Sequence, residues 1–239
     1  MRRLILISLI FCLSLASCGG TSPDTSQDEV GEADRSSDLH YSCGRGDPFT
    51  AEDVAAEQQP AKEVLDALAG VRQTMDGAFL PEDGWIEVGN AGGIVTLLAP
   101  LNDAYASAAF EQRAGGWDPR GWGDCIPRLQ VSNRSVLRWV FTNASYPPDP
   151  VDTELEVLVS EVECSSARDI EGLIEAAITY DQEEISIVLT APGLKGGQDC
   201  PGTKPTPYTV ILEEPPDERK IVDPSVLPSV EPTPGTRLP

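Results

Sequence analysis

Apolar and polar positions along the chain fall into three regimes. After Met1-Arg2-Arg3, an apolar run extends from Leu4 to Leu15, broken only by Ser8 and Ser14. It is too short to cross a hydrocarbon layer of about 30 Å as a helix, but it matches the apolar core of an export signal behind a positive start. From Gly19 to His40 the chain is rich in Ser, Thr, Asp and Glu, with Val30 as its one large branched apolar residue before Leu39. Such a segment buries too little surface to offset its ordering entropy, so a disordered acidic tether over 18–40 is expected. As a coil of about 22 residues it would reach roughly 25 Å root-mean-square.

The third regime, from Tyr41 onward, carries the periodicities of a fold. Thr50 is placed to cap a helical stretch over 51–59. Pro60 opens a clearer helix over 61–69, which Gly70 is expected to stop. In that helix Val64, Leu65, Leu68 and Val71 form one apolar stripe, suited to packing on a sheet. Strand patterns then take over. Trp85–Val88 and Ile94–Leu98 flank the turn-forming run 89–93 and predict a hairpin, and Ala104–Phe110 adds a third strand, although its alanines also suit a helix. A Gly/Trp-rich loop over 115–125 follows. Further strands are expected at 128–132, 136–141, 154–164, 173–180, 185–190 and 208–212, the fourth and fifth joined by an acidic turn. After Glu214 the chain has seven prolines in 25 residues, which predicts an extended, poorly packed tail. The expected fold class is α+β: mainly antiparallel β, sandwich-like, with a short N-terminal helical layer, forming one domain over 41–225 before a Pro-rich tail over 226–239.

The apolar leader ends in Leu15-Ala16-Ser17-Cys18, followed by Gly19-Gly20. Small residues ahead of a cysteine at this distance resemble the bacterial lipobox. The resemblance implies cleavage after residue 17, diacylation of Cys18 and retention at the extracytoplasmic face of a cell membrane. Two or three acyl chains anchor stably where a single chain does not.

Cysteine use changes the picture next. Cys12 leaves with the signal and Cys18 is consumed by lipid, so Cys43, Cys125, Cys164 and Cys200 remain. An even number in an exported domain, with none in a CxxC spacing, predicts two disulfides rather than metal ligands. Three pairings are open. The expected one joins Cys164, at the end of a strand, to Cys200, ahead of another, and leaves Cys43 to hold the N-terminal layer to Cys125.

Charge and histidine content exclude more than they identify. The chain carries a net charge of −22, which becomes −24 once Arg2 and Arg3 leave with the signal. So acidic a surface repels nucleic acid and anionic headgroups, so membrane contact must come through the lipid. His40 is the one histidine and lies in the tether. Ser-His-Asp and Cys-His catalysis and most zinc sites are therefore excluded. No catalytic residue, metal or cofactor is assigned.

Two features are candidates for ligand contact. Glu161 has the same strand parity as Leu155, Val157 and Val159: it is either an acid/base carboxylate on a core face, or the strand leaves the core there, or Glu161 caps nearby backbone N–H groups. The loop Gly115–Cys125 holds Trp117 and Trp122 among glycines, with Arg120 and Asp124 beside them. Exposed rings there would stack on a sugar or peptide, whereas buried rings would cover the end of a sheet. Arg45-Gly46-Asp47, the sequons at Asn133 and Asn143, and Gly193, Gly196 and Gly197 lack the context their motifs require. Asp181, Glu183 and Glu184 lack calcium-loop spacing.

Three segments carry a wider likeness: Gly121-Trp122-Gly123-Asp124-Cys125; Leu155 to Glu161 leading to Cys164; and Gly196-Gly197-Gln198-Asp199-Cys200-Pro201-Gly202 with Pro205-Thr206-Pro207. Together they resemble an uncharacterised group of actinobacterial exported proteins and lipoproteins, over roughly residues 43–228. That resemblance implies export and no particular activity. Two function classes stay open: a non-enzymatic module that binds an envelope component or a protein partner, and a carboxylate-dependent hydrolase of envelope glycans, which would need two carboxylates about 5–10 Å apart.

Overall fold

The computed structural model describes residues 39–44, 46–102, 104–201 and 204–234. The signal segment, Cys18 and most of the acidic tether lie outside the described residues. Just ahead of Tyr41, Leu39 packs on the core, and the His40 carbonyl accepts from the Gln130 amide at 2.8 Å.

The helices form where capping and apolar spacing predict them, but with different bounds. Thr50 and Asp53 make a reciprocal capping box, with the Thr50 amide donating to Asp53 Oδ2 at 2.7 Å and the Asp53 amide donating to Thr50 Oγ1 at 3.1 Å. The helix it starts, α1 (Ala51–Ala55), ends early because it buries no residue that would hold a longer one. Helix α2 (Lys62–Arg72) runs through Gly70 rather than stopping there. Its stripe is Val64, Leu68 and Val71, so burying Val71 outweighs the weak helix propensity of one glycine, while Leu65 stays exposed. A 3-10 turn follows at Met75–Gly77, where a Cβ on Gly77 would sit 2.2 Å from the Val71 carbonyl oxygen, so the chain needs glycine there.

Strands β2 (Ile86–Ala91), β3 (Ile94–Leu101), β4 (Ala104–Arg113) and β5 (Gly116–Cys125) form an antiparallel meander in sequence order. The expected 89–93 loop shrinks to Gly92-Gly93, both at positive φ (60° and 81°), which suits a tight hairpin turn. Ala104–Phe110 is strand, not helix, and its alanines have a packing reason. Ala106 and Ala108 lie under α2, where small side chains let the helix approach. Strand β3 is buried on both faces. Val95, Leu97 and Ala99 pack beneath α2, while Leu98 points to the opposite cluster.

That opposite cluster joins the meander to a second sheet. Val88 and Leu98 meet Val136 and Val188, which lie on β7 (Arg134–Phe141) and β10 (Glu184–Pro192). The second sheet has the order β11 (Thr206–Ile211), β8 (Glu154–Glu161), β7, β10, β12 (Lys220–Val222), with β9 (Glu175–Tyr180) on the other side of β10. Its inner face holds a core of its own: Leu137, Trp139, Phe141, Leu155, Val157, Val159, Ile185, Ile187 and Leu189. Ile178 and Tyr180 from one edge and Tyr208 from the other pack on this same core. The Glu213 amide also donates to the Tyr180 hydroxyl at 2.8 Å, so the sheet curls toward closure. The fold is thus α+β and mainly antiparallel β, with a helix layer on one sheet and that sheet stacked on another in a sandwich-like arrangement.

Both disulfides form with the expected pairing, Cys43–Cys125 and Cys164–Cys200. Two other expectations need correction. Apart from Gly115, which lies in the turn after β4, the segment 115–125 is not a loop but strand β5, because its glycines are tolerated at a sheet edge paired along β4. Nor is the chain after Glu214 poorly packed. Residues 220–222 form β12, parallel to β10, and Ile221, Val222, Asp223, Ser225 and Val226 are buried. Beyond them the tail runs against β6 (Arg128–Leu129), with Leu129 donating to the Ser225 carbonyl at 2.9 Å and Leu227 to that of Pro127 at 3.0 Å. The Tyr41 hydroxyl, on β1 (Tyr41–Ser42), donates to the Pro224 carbonyl at 3.0 Å and ties the two ends of the domain together.

Candidate functional site

The curled sheet brings three strand ends together. Leu137 pairs with Glu161 and Pro192 with Arg134, so the start of β7 lies beside the ends of β8 and β10. The chain leaving β8 and the chain leaving β10 are braced at this end by Cys164–Cys200. Ser166 adds to the brace: its amide donates to the Asp199 carbonyl at 2.9 Å, its hydroxyl donates to Gln198 Oε1 at 2.9 Å, and it accepts from the Asp199 amide at 3.0 Å. On the other side the Gly193 amide donates to the Asn133 carbonyl at 2.8 Å.

These segments enclose a cavity of about 260 Å³, lined by Asn133, Arg134, Ser135, Glu161, Glu163 and Gln198 among others. A second cavity of about 500 Å³ shares Arg134, Ser135, Val162 and Glu163 with the first. It continues past Asp124, Arg128 and Gln130 to the other disulfide, Cys43–Cys125. The two cavities form a polar trough with a disulfide toward each end, and no aromatic side chain is among its described lining residues.

Electrostatics within the trough are specific. Arg134 is committed: its Nε donates to Thr190 Oγ1 at 2.7 Å, its Nη2 to the Thr190 carbonyl at 3.3 Å, and its Nη1 pairs with Glu175 at 2.9 Å. Glu161 is held by Arg168, whose Nε and Nη2 both donate to Oε1, at 2.8 Å and 2.5 Å. The Glu161 side chain is only 7% exposed, and its Oε2 is buried without a hydrogen-bond partner. A buried acceptor left unmatched costs about 1–3 kcal/mol. Beside the second cavity, burial lowers the Arg128 pKa, as does Arg138, against the opposing charges of Glu163 and Asp223. Asp223 is itself buried, and desolvation pushes its carboxyl up to about 6 despite hydrogen bonds from Ser225 and the Arg128 charge. Burial, with the nearby Asp223 charge, likewise raises the Tyr41 hydroxyl to about 12.

The residues singled out from sequence are divided by the fold. Glu161 and Asp124 both line the trough, in its first and second cavities. Trp117 and Trp122 do not join them. A bulge in β5 leaves Arg120 without a partner on β4, because Phe110 pairs with Pro119 and Ala109 with Gly121. The extra residue reverses the parity, so both rings pack half-buried against the cluster beneath α2. The Trp122 indole N–H donates to the Asp76 carbonyl at 3.1 Å. Arg120 is exposed and pairs with Glu111 at 3.3 Å.

Sequence reasoning missed Arg134, Arg168, Arg128 and Asp223. Only Asp223 left a trace, as a lone acid between apolar Ile221-Val222 and Pro224. Among the described residues, no group of three or more His, Cys, Asp or Glu is placed to hold a metal ion, and no helix is long and apolar enough to cross a membrane. Comparison with known proteins gives no relative: no family model, no curated protein and no solved structure matches this chain.

Proposed function

We propose that the chain is an extracytoplasmic lipoprotein, cleaved before Cys18 and anchored there by lipid, whose folded domain is a non-enzymatic binding module. Its binding face is the trough around Arg134–Ser135 and Val162–Glu163. The observation that carries this reading is the contiguity of the two cavities, which share a wall and are braced by the two disulfides. A concave, largely preformed site with a few convergent polar groups is the usual form of a ligand site. The partner is an envelope component or a protein at the same surface, not nucleic acid, since the chain is strongly acidic. The leader and lipobox supply the address, and two disulfides suit an oxidising compartment.

Two measurements test it. Mass spectrometry of the mature protein should find an N-terminal diacylated Cys18, with Cys18→Ala remaining an uncleaved precursor; a mature N-terminus elsewhere refutes the anchor. A photo-crosslinking residue at Ser135, in the shared wall, should trap a partner in intact cells, whereas one at the exposed Val151 should not. Equal trapping at both positions, or none at Ser135, refutes the trough as the binding face.

A further inference from the structure

The chemistry of the trough narrows the ligand, given the binding-module reading on which this inference rests. We propose that the trough binds an extended peptide segment carrying a basic side chain. Three observations converge. First, the lining acids Glu161, Glu163 and Asp124 outnumber the lining cations Arg134 and Arg128, the second of which faces Glu163. Arg134 spends its donors on Thr190 and Glu175, whereas Glu163 and Asp124 are exposed at the wall. Second, Glu161 lines the first cavity with a side chain more than nine-tenths buried and with Oε2 lacking a donor. An ammonium, guanidinium or amide N–H from a ligand supplies the missing donor. Third, beside Arg128 the polar lining includes Asn133, Ser135, Gln130 and Gln198, side chains that both donate and accept. They match the alternating N–H and C=O groups of a peptide backbone.

Glycans fit less well. Sugar sites commonly offer aromatic faces for stacking, and the described lining has none, because both tryptophans of β5 are turned to α2. An anionic ligand would meet Glu161, Glu163 and Asp124 against Arg128, with Arg134 already engaged by Glu175, in a chain of net charge −22. The length of the trough also favours a chain over a compact molecule, since its two cavities of about 260 and 500 Å³ are joined through one wall.

So acidic a protein attracts any polycation, so the test separates the trough from the general field. Full-length lipidated protein in neutral-lipid nanodiscs is titrated with acetyl-Lys-Ser-Lys-Ser-Lys-amide, its glutamate counterpart and N-acetylglucosamine tetramer. The lysine peptide should bind, and at 150 mM salt the exposed-wall variant Asp124→Asn/Glu163→Gln should lower its affinity at least tenfold. The control Asp181→Asn/Glu183→Gln removes the same charge from the turn between β9 and β10 and should change affinity less than twofold. Unchanged melting temperatures exclude misfolding as the cause. Equal losses in both variants, or no binding of the lysine peptide, overturn the peptide assignment. Binding of the sugar overturns it too, yet leaves the binding module standing. Failure of the module itself would show instead as no crosslink at Ser135.

Discussion

Replacing Asp223 with asparagine should change how stability responds to pH. Asp223 is 1% exposed, and its Oδ1 accepts from the Ser225 amide at 2.9 Å. The charged group facing it is Arg128, which favours ionisation but is outweighed by desolvation, and Tyr41 lies close by. The carboxyl therefore titrates near 6 when folded, against an ordinary value of 3.8. A folded pKa above the unfolded one means protonation favours folding. The associated stability is fully present below the unfolded value and is lost as pH rises through the folded value. A difference of about two units corresponds to about 3 kcal/mol, lost mostly between about pH 4 and pH 6. For a domain of this size that is about 6–12 °C in melting temperature. Asparagine keeps the acceptor for Ser225 and cannot ionise. Thermal unfolding followed by circular dichroism from pH 4 to 7.5 should show wild type losing about 2–2.5 kcal/mol of this relative to Asp223→Asn, since the other carboxylates are common to both. Parallel profiles would mean that Asp223 is not desolvated in the folded domain, and would refute the reasoning.

Other consequences are as direct. Non-reducing peptide mapping should recover only the 43–125 and 164–200 pairs, and Cys164→Ser/Cys200→Ser should destabilise by about 4 kcal/mol in the chain-entropy model for a separation of 36 residues. Trp122→Ala should cost about 2 kcal/mol or more of stability, with Trp122→Phe nearer 1 because it loses mainly the hydrogen bond to Asp76; denaturant titration distinguishes them. Arg168→Ala should cost about 2–3 kcal/mol by leaving Glu161 buried and unpaired, and adding Glu161→Leu should recover part of that loss; a double variant weaker than the single would refute the account.

The sequence alone determined whatever depends on local periodicity and capping. Thr50 announces a helix start, and the stripe Val64, Leu65, Leu68 and Val71 gives the face that packs on the sheet except for Leu65, which is exposed. Strand alternation from Leu155 to Glu161 placed a carboxylate on an inner face, and the positions of the cysteines at strand ends favoured the pairing that forms. The tertiary structure alone decided which side chains meet. Parity cannot see a bulge, so only the one extra residue at Arg120 puts Trp117 and Trp122, five positions apart, on the same face beneath α2. Propensity could not predict that the Pro-rich tail would be buried. What orders it is contact with partners far away in the chain, such as Tyr41 at a sequence separation of 183 and Leu129 on β6. The trough is assembled from strand ends and chain segments whose proximity depends on the curl of a sheet and on two crosslinks. Its ingredients were legible one residue at a time, but their convergence is a property of non-local pairing, which no local pattern encodes.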